Sequence, residues 1–339
     1  MDKVMNIRNG VILTFIITLL LPFIVQSQYV LHVVTMALIW AISVYGYNMN
    51  VGYVGSLSLA HVGFFAIGAY TLGLLTVKAG WNFWLAFMAA LVLSAAIGFL
   101  VGLVSFRTKG HFFAIYTMCV GFIIYLIIDK WDSLTGGVRG LIGIPHPAPI
   151  GPLTFDTLTS QYYLVLFFLA VTILVAKRLL HSLLGRTFLA VNNSEELARA
   201  IGISTRKNQL LSFVISCFFA GLAGALYASF VRFIGPDIAS IVLGFEMLMY
   251  LIIGGIGTLA GPLVGTLLMV WLTQSLQFLQ DSRMVLFGPV LVLLVIFYPQ
   301  GIVGGITNHW RKRRKRSDLK HSESKLPKQV PSHRVNARR

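Results

Sequence analysis

The sequence predicts an all-α integral membrane protein with about ten transmembrane helices. Of its 339 residues, 57% are hydrophobic and 11% are charged, and the mean hydropathy is +0.81. A soluble domain carries roughly 25% charged residues, so a soluble globular fold is excluded. The apolar runs are long and unbroken, as expected for helices that need roughly 20 apolar residues to cross a bilayer. A transmembrane β-barrel would show short alternating segments instead.

Ten apolar runs with polar or charged boundaries define the predicted spans. They cover residues 11–26, 29–49, 61–78, 83–105, 111–128, 161–178, 209–230, 241–256, 261–280 and 284–299. The first run has the basic start of a signal peptide, but no small-x-small cleavage site follows it, which favours a retained helix. The Gly- and Ser-rich residues 50–60 are predicted to form a turn or a broken, partly re-entrant helix.

The placement of basic residues gives the orientation. Clusters of Lys and Arg lie before span one, between spans four and five, between spans six and seven, and after span ten. With ten spans, all four clusters fall on one side, which the positive-inside rule assigns to the cytoplasm. Both termini are therefore predicted to be cytoplasmic, and residues 1–309 are predicted to form one transmembrane domain.

Residues 310–339 are predicted to form a basic, disordered cytoplasmic tail. They hold twelve lysines and arginines but only two acids. A polybasic stretch directly after an apolar helix fixes orientation and meets anionic lipid. Membrane lipid is therefore the expected partner of this tail, and no nucleic acid is expected.

Residues that carry chemistry are sparse. Cys119 and Cys217 both lie inside apolar runs, which argues against a disulfide framework and a zinc site. No metal-ligand spacing, Ser/His/Asp order or pair of catalytic carboxylates occurs at membrane depth. The sequence also contains no G-x-x-x-x-G-K-[ST] phosphate loop. We therefore predict no metal, no cofactor and no enzymatic activity, and energy for any pumping would have to come from another protein.

The segment 179–208 is long for a loop of a membrane protein and contains a predicted short helix. Ser194 is a suitable N-cap, and Glu195 and Glu196 place negative charge at the positive end of the helix dipole. Gly202 suits the left-handed position just past the helix end. A helix of this length is marginal alone in water, so it is expected to rest on the membrane domain.

Leu197, Ala198 and Ile201 are expected to share one face of this helix. Two interpretations stay open. The helix contacts a partner protein with its other side, or it is an ordinary connecting helix.

Two polar residues inside apolar runs are candidates for the interior of the membrane domain. Glu246 is the only acid well inside such a run, and a charge there is costly unless it is paired or hydrated. It either faces a translocation pathway or polar helix interface, or it reaches headgroup water near the end of its span. For His61, a packing role is favoured over a proton relay.

Small residues at 220–225 are expected to allow close helix packing.

A weak internal similarity is also present in the sequence. Five residues recur at the same offsets in a second segment, namely Gly52, Gly55, Ser56, Leu57 and Gly63 in the first and Gly254, Gly257, Thr258, Leu259 and Gly265 in the second. Transporters often contain repeats, but a chance match is an equally good explanation in a chain this rich in glycine.

Four blocks of the sequence carry a family resemblance. They are Gly52–His61 with 68–70, the Gly-rich stretch 136–145, the motif at 196–202, and 219–228 followed by 254–262. Taken in this order, they resemble permease subunits of ATP-binding-cassette (ABC) importers, in the branched-chain amino acid branch of the LivM type. The motif at 196–202 resembles the EAA motif of that family, with Leu197 in place of the first alanine.

The resemblance implies an ABC importer permease in the bacterial inner membrane that forms the pathway for branched-chain amino acids. It implies a second permease subunit, two cytoplasmic ATPase subunits and an extracytoplasmic substrate-binding protein as partners. The ATPase-coupling residues would be Ser194, Glu195, Glu196, Ala198, Ala200 and Gly202. Residues of the pathway or of helix packing would be Gly52, Gly55, Ser56, His61, Glu246, Gly254 and Gly257. The external loop would hold Gly136, Gly137, Gly140 and Pro145.

Two other transport functions stay open. Permeases for urea, short amides or other small polar solutes have similar sequences. A self-powered secondary transporter usually needs several intramembrane charges or an ion site, and Glu246 is the one candidate for such a charge.

Overall fold

The computed structural model describes residues 22, 27–108, 110–152, 154–275 and 301–305. Within these residues the α-helices are α1 (Gln28–Val51), α2 (His61–Gly73), α3 (Phe83–Ser105), α4 (His111–Lys130), α5 (Asp132–Thr135), α6 (Leu158–His181), α7 (Leu183–Asn193), α8 (Glu195–Ala200), α9 (Thr205–Val231), α10 (Ile241–Gly254) and α11 (Gly261–Ser275). Two short strands are β1 (Leu141–Ile142) and β2 (Phe233–Ile234). The predicted spans 11–26 (residue 22 apart) and 284–299 and the basic tail lie outside the described residues.

Six of the described helices are long and apolar enough to cross a membrane. They are α1, α2 with its π-helical extension Leu74–Lys78, α3, α4, α6 and α9. They confirm the predicted spans from 29–49 to 209–230. The predicted span 241–256 is the shorter helix α10, with 14 residues, and the span 261–280 begins as predicted at Gly261, the first residue of α11. The count of ten spans and their orientation stay predictions.

Helix α9 forms the centre of the bundle and packs against α1, α2 and α3. Its contact with α2 depends on glycine, because a Cβ on Gly68 would overlap the Gly221 carbonyl and a Cβ on Gly224 would overlap the Phe65 carbonyl. Backbone meets backbone here, so neither side can yield by a rotamer change. The predicted close packing at 220–225 is confirmed.

The long helices run between two ends of the bundle. We call the end that carries α7 and α8 the α8 end. We call the other end the hairpin end after the antiparallel pair β1 and β2, although these two strands are far apart in the sequence and no tight turn joins them. The α8 end holds the basic residues Arg107, Lys177, Arg178, Arg186, Arg199, Arg206 and Lys207, against the acids Glu195 and Glu196. The hairpin end holds Lys78, Lys130, Arg139 and Arg232, against Asp129, Asp132, Asp156 and Asp237. Positive charge is therefore concentrated at the α8 end.

The segment 179–208 contains more structure than the sequence predicts. Helix α6 continues to His181, and the additional helix α7 fills most of the stretch before α8. Ser182 caps α7, since its hydroxyl accepts a hydrogen bond from the Gly185 N–H at 3.4 Å. Phe188 and Val191 are buried, which anchors α7 to the bundle and makes it the platform for α8.

Candidate functional site

The helix α8 is a short, firmly capped element. The Ser194 hydroxyl accepts a hydrogen bond from the Leu197 N–H at 3.2 Å. At the other end Gly202 adopts a φ of +84°, and the Ile203 N–H donates to the Ala198 carbonyl at 2.9 Å. This closes a Schellman motif, the glycine-dependent way of satisfying the last carbonyls of a helix. Both predicted caps are confirmed, and they hold α8 in shape despite its length.

Charged side chains tie α8 to the start of α9. Glu195 forms an ion pair with Arg199 one turn later. The Arg199 Nε donates to the Thr205 hydroxyl at 3.0 Å, and that hydroxyl donates to the Glu195 carboxylate at 3.3 Å. The capped helix is thus bonded to Thr205, the first residue of the long helix α9.

The apolar residues of α8 do not share one face, which corrects the sequence expectation. Ala198 is buried against the bundle, with 1% of its surface exposed, whereas Leu197 and Ile201 are 64% and 68% exposed. Successive helical residues are separated by about 100°, so Ala198 can face the protein while Leu197 and Ile201 face away from it. Two large apolar side chains therefore project from the basic end of the molecule. Glu196 and Ala200 are also exposed there.

A cavity of about 920 Å³ opens beside α8. Its walls come from residues 54–57, from the α3–α4 connection and from the segment 191–209. Arg107 and Arg206 line it, and the Arg206 Nε donates to the Phe106 carbonyl at 3.2 Å. The cavity separates α8 from the ends of α3 and α4, which leaves the helix accessible from the side.

The two segments with internal sequence similarity lie in contact. We call residues 52–60, between α1 and α2, turn A, and residues 255–260, between α10 and α11, turn B. The matched glycines Gly55 and Gly257 both have positive φ, at +80° and +71°. A Cβ on Gly52 would lie 2.6 Å from the Gly257 nitrogen. One matched pair of glycines thus shares its backbone conformation, but turn A has nine residues and turn B has six, so an internal repeat and a chance match both stay open.

Turn A has the irregular backbone expected for 50–60. The Asn50 side-chain amide donates to the Ser56 carbonyl at 2.7 Å, and the Ser56 N–H donates back to the Asn50 carbonyl at 3.1 Å. Ser56 is buried and Gly55 is exposed. These bonds give hydrogen-bond partners to backbone groups after the end of α1. Irregular backbone at membrane depth is tolerated only when such polar groups are satisfied within the protein.

His61 lies in the middle of the bundle, at the start of α2. Its Nε2 donates to the Ser43 carbonyl at 3.0 Å, so its Nδ1 accepts from the Ser216 hydroxyl at 3.1 Å. The ring stacks on Tyr47 with centroids 4.6 Å apart. With both nitrogens bonded to other helices of the same chain, the geometry favours the packing interpretation.

Glu246 is the sixth residue of α10 and is half-buried. At 1.5 Å per residue it lies about 8 Å along the helix from its start at the hairpin end. That depth fits both interpretations, a pathway residue and a side chain that reaches the membrane surface. Gly254, at the opposite end of α10, is buried, and a Cβ there would overlap the Gly261 carbonyl.

The predicted external loop forms part of a cap on the hairpin end. Strand β1 pairs with β2 in antiparallel register, with Leu141 opposite Ile234. Gly136, Gly137 and Gly140 all have positive φ, so side chains at these positions would strain the turn. Pro145 is exposed next to this pair of strands. The sequence did not predict the strands, because two residues each are too few to show alternation.

In the described part of the chain, no group of three or more His, Cys, Asp or Glu side chains is placed to hold a metal ion. Apart from His61, Glu246 and Gly254, which lie within helices as described above, the site residues named from the sequence fall into three groups. The α8 group lies at the α8 end, Gly52, Gly55, Ser56 and Gly257 lie at the turn A–turn B contact, and the external loop lies at the hairpin end.

Comparison with known proteins agrees with this architecture. Residues 29–296 match the family described as branched-chain amino acid transport system / permease component. The chain is 31% identical over 305 residues to the high-affinity branched-chain amino acid transport system permease protein LivM of Escherichia coli, covering 83% of this chain and 71% of the relative. It is 25% identical to LivH of E. coli, covering 83% and 96%. It is 26% identical to BraD of Pseudomonas aeruginosa, covering 82% and 95%. No solved structure matches.

Proposed function

The chain belongs to the permease-component family of branched-chain amino acid transport systems, and from that premise we propose that it forms part of the translocation pathway of an ABC importer for branched-chain amino acids. It would work as one of two related permease subunits in the bacterial inner membrane. Similarity to both LivM and LivH supports a heterodimer of two such subunits. An extracytoplasmic binding protein would deliver the substrate.

The observation that carries this proposal is the exposed apolar pair on α8. Leu197 and Ile201 project from a helix that is capped at both ends and fixed to α9. Large apolar side chains exposed together on a rigid element are typical of a binding surface. Two cytoplasmic ATPase subunits are the proposed partners of this surface, because the sequence contains no phosphate loop of its own.

The distribution of charge supports the orientation this requires. Among the described residues, the α8 end has seven basic and two acidic side chains, and the hairpin end has four of each. The positive-inside rule places the more basic end in the cytoplasm. The α8 surface would then face the compartment that holds ATP, and the strand cap would face the binding protein.

Reconstitution tests the proposed function. The complex is purified through a tag on this chain and placed in proteoliposomes, and uptake of labelled leucine, isoleucine and valine is measured with the binding protein present. We expect uptake that requires ATP and is not competed by urea. Uptake driven by an ion gradient without ATP would contradict the importer and favour a secondary transporter.

A further inference from the structure

Two asparagines hydrogen-bond to the two glycine turns, and neither is among the candidate residues predicted from the sequence. Asn48 lies near the end of α1 and is 1% exposed. Asn192 is the second-last residue of α7, two positions before the N-cap of α8. Both lie beside Gly52, since a Cβ on Gly52 would overlap the Asn48 Oδ1 and the Gly52 carbonyl accepts a hydrogen bond from Asn192.

Asn48 hydrogen-bonds to the backbone of turn B through both ends of its side-chain amide. Its Nδ2 donates to the Thr258 carbonyl at 2.9 Å, and its Oδ1 accepts from the Gly257 N–H at 2.9 Å. A donor and an acceptor from one amide thus satisfy backbone groups of two adjacent residues in the turn between α10 and α11. The Asn48 side chain is buried, and both its donor and its acceptor are used. These two hydrogen bonds fix the position of turn B relative to α1.

Asn192 binds turn A from the α8 side. Its Nδ2 donates to the Gly52 carbonyl at 3.0 Å, and a Cβ on Gly55 would overlap its Oδ1. The same Gly52 carbonyl oxygen would lie 3.1 Å from a Cβ on Gly257. The carbonyl is therefore enclosed between the α7 side chain and the backbone of turn B.

These contacts form one continuous path from α7, which Ser194 joins to α8, through Asn192 to turn A, and from turn A to turn B. We propose that Asn192 and Asn48 are positioning residues that transmit displacement of α8 to both glycine turns, so that the two broken-helix regions move together in the transport cycle. The inference deepens the proposed function, because it assigns the step between the ATPase surface and the membrane helices.

The sharpest variant is Asn192→Asp. It keeps the shape of the side chain and removes the N–H that donates to Gly52. Asn193→Asp is the matched control, since it places the same charge one residue away on a side chain for which the described structure gives no hydrogen bond. Any effect of added charge or of altered α7 is shared by both variants, and loss of the Gly52 bond is confined to the first.

In the full complex the readout is solute taken up per ATP hydrolysed. We expect Asn192→Asp to lower this ratio roughly two- to tenfold, the factor that corresponds to one neutral hydrogen bond, with ATP hydrolysis retained. Asn193→Asp should keep the ratio of the unaltered complex. A purely structural role would change the amount of complex and leave the ratio unchanged, so equal ratios in the two variants would overturn the inference.

Hydrogen exchange on the purified full chain decides the inference independently of any transported solute. Asn192→Asp should speed amide exchange in residues 52–56 and also in 255–260, where the altered residue makes no direct hydrogen bond. Faster exchange confined to 52–56 would overturn the proposed link to turn B. If the unaltered complex shows no ATP-driven uptake, the proposed function fails, and the exchange result still decides whether the two turns are connected.

Adding Asn48→Leu tests whether the two asparagines act in one path. Residues that act through a shared contact give non-additive effects. The double variant should therefore lower the uptake ratio little more than the more severe single variant does. Fully additive effects would separate the two asparagines and overturn the single path.

Discussion

Gly202 shows how one residue supports α8. Its φ of +84° and the open space around it mean that a side chain there would meet no atom, so a substitution would act through the backbone alone. An L-residue in the left-handed region costs roughly 1–2 kcal/mol. Gly80, with a φ of +65°, has equally open surroundings at the hairpin end.

We therefore expect Gly202→Ala and Gly80→Ala to lower the free energy of unfolding by similar amounts, about 1–2 kcal/mol. Only Gly202→Ala should weaken binding of the ATPase subunits, measured by their recovery with the tagged chain. Equal loss of ATPase in both variants would contradict a specific role for the end of α8.

His146 gives a pH dependence at the hairpin end. Burial and the nearby Arg232 lower the pKa of His146 below its usual 6.5, and Asp156 opposes this shift. The neutral ring accepts a hydrogen bond on Nδ1 from the Gln161 side-chain amide at 2.7 Å. The folded protein therefore takes up the proton less readily than the unfolded chain does.

Stability should fall as the pH drops through 6.5, because the unfolded chain then binds the proton that the folded protein excludes. Between pH 7.5 and pH 5.5 we expect the unfolding temperature to fall further in the unaltered protein than in His146→Gln, which does not titrate. Identical falls in both proteins would show that another group carries the pH dependence.

At the scale of single residues, local features could be predicted from the sequence and contacts with distant elements could not. Ser194 and Gly202 were predictable because caps are local and depend on residue type. The orientation of Leu197 was not, because the choice between two faces of a six-residue helix depends on α7 and α9. Asn48 had a usable signal, a polar amide within an apolar run, but its partners lie about 210 positions away in the sequence.

At the scale of elements, the glycines between α2 and α9 determine how closely two central helices approach. Gly224→Ala places a Cβ against the Phe65 carbonyl, and backbone cannot yield as a flexible side chain can. Overpacking of this kind typically costs about 1–3 kcal/mol. We expect a clearly lower unfolding temperature in detergent.

Gly235→Ala is the control for this change. A Cβ there would come no closer than 3.6 Å to the Phe233 ring, and the φ of −110° suits any residue. Its unfolding temperature should match that of the unaltered protein. Equal stability of the Gly224→Ala and Gly235→Ala proteins would mean that α2 and α9 are not packed as described.

Elements differed in how far they could be predicted. Six long apolar helices were predicted within a few residues, because hydrophobic length alone defines them. Helix α7 was missed because its amphipathic pattern lies in a segment that apolar length does not mark, and the β1–β2 pair was missed because its strands are distant in sequence. Helix α7 lies at the α8 end of the molecule, and the β1–β2 pair lies at the hairpin end.

At the scale of the whole molecule, positive charge is concentrated at one end. The α8 end is rich in Lys and Arg, and it presents Leu197 and Ile201 beside a cavity of about 920 Å³. The hairpin end is balanced in charge and carries the paired strands β1 and β2. This polarity is what a permease needs if motor subunits act on one side and a binding protein on the other.

The most direct test of the account is whether ATPase subunits bind at Leu197 and Ile201. The double variant Leu197→Glu, Ile201→Glu is compared with Val138→Glu, Ile142→Glu, a pair at the hairpin end that is 73% and 71% exposed. Each tagged protein is purified from the membrane, and the ATPase recovered with it is measured. We expect the α8 variant to lose the ATPase and the hairpin-end variant to keep it. Full recovery of the ATPase with the α8 variant would contradict the account.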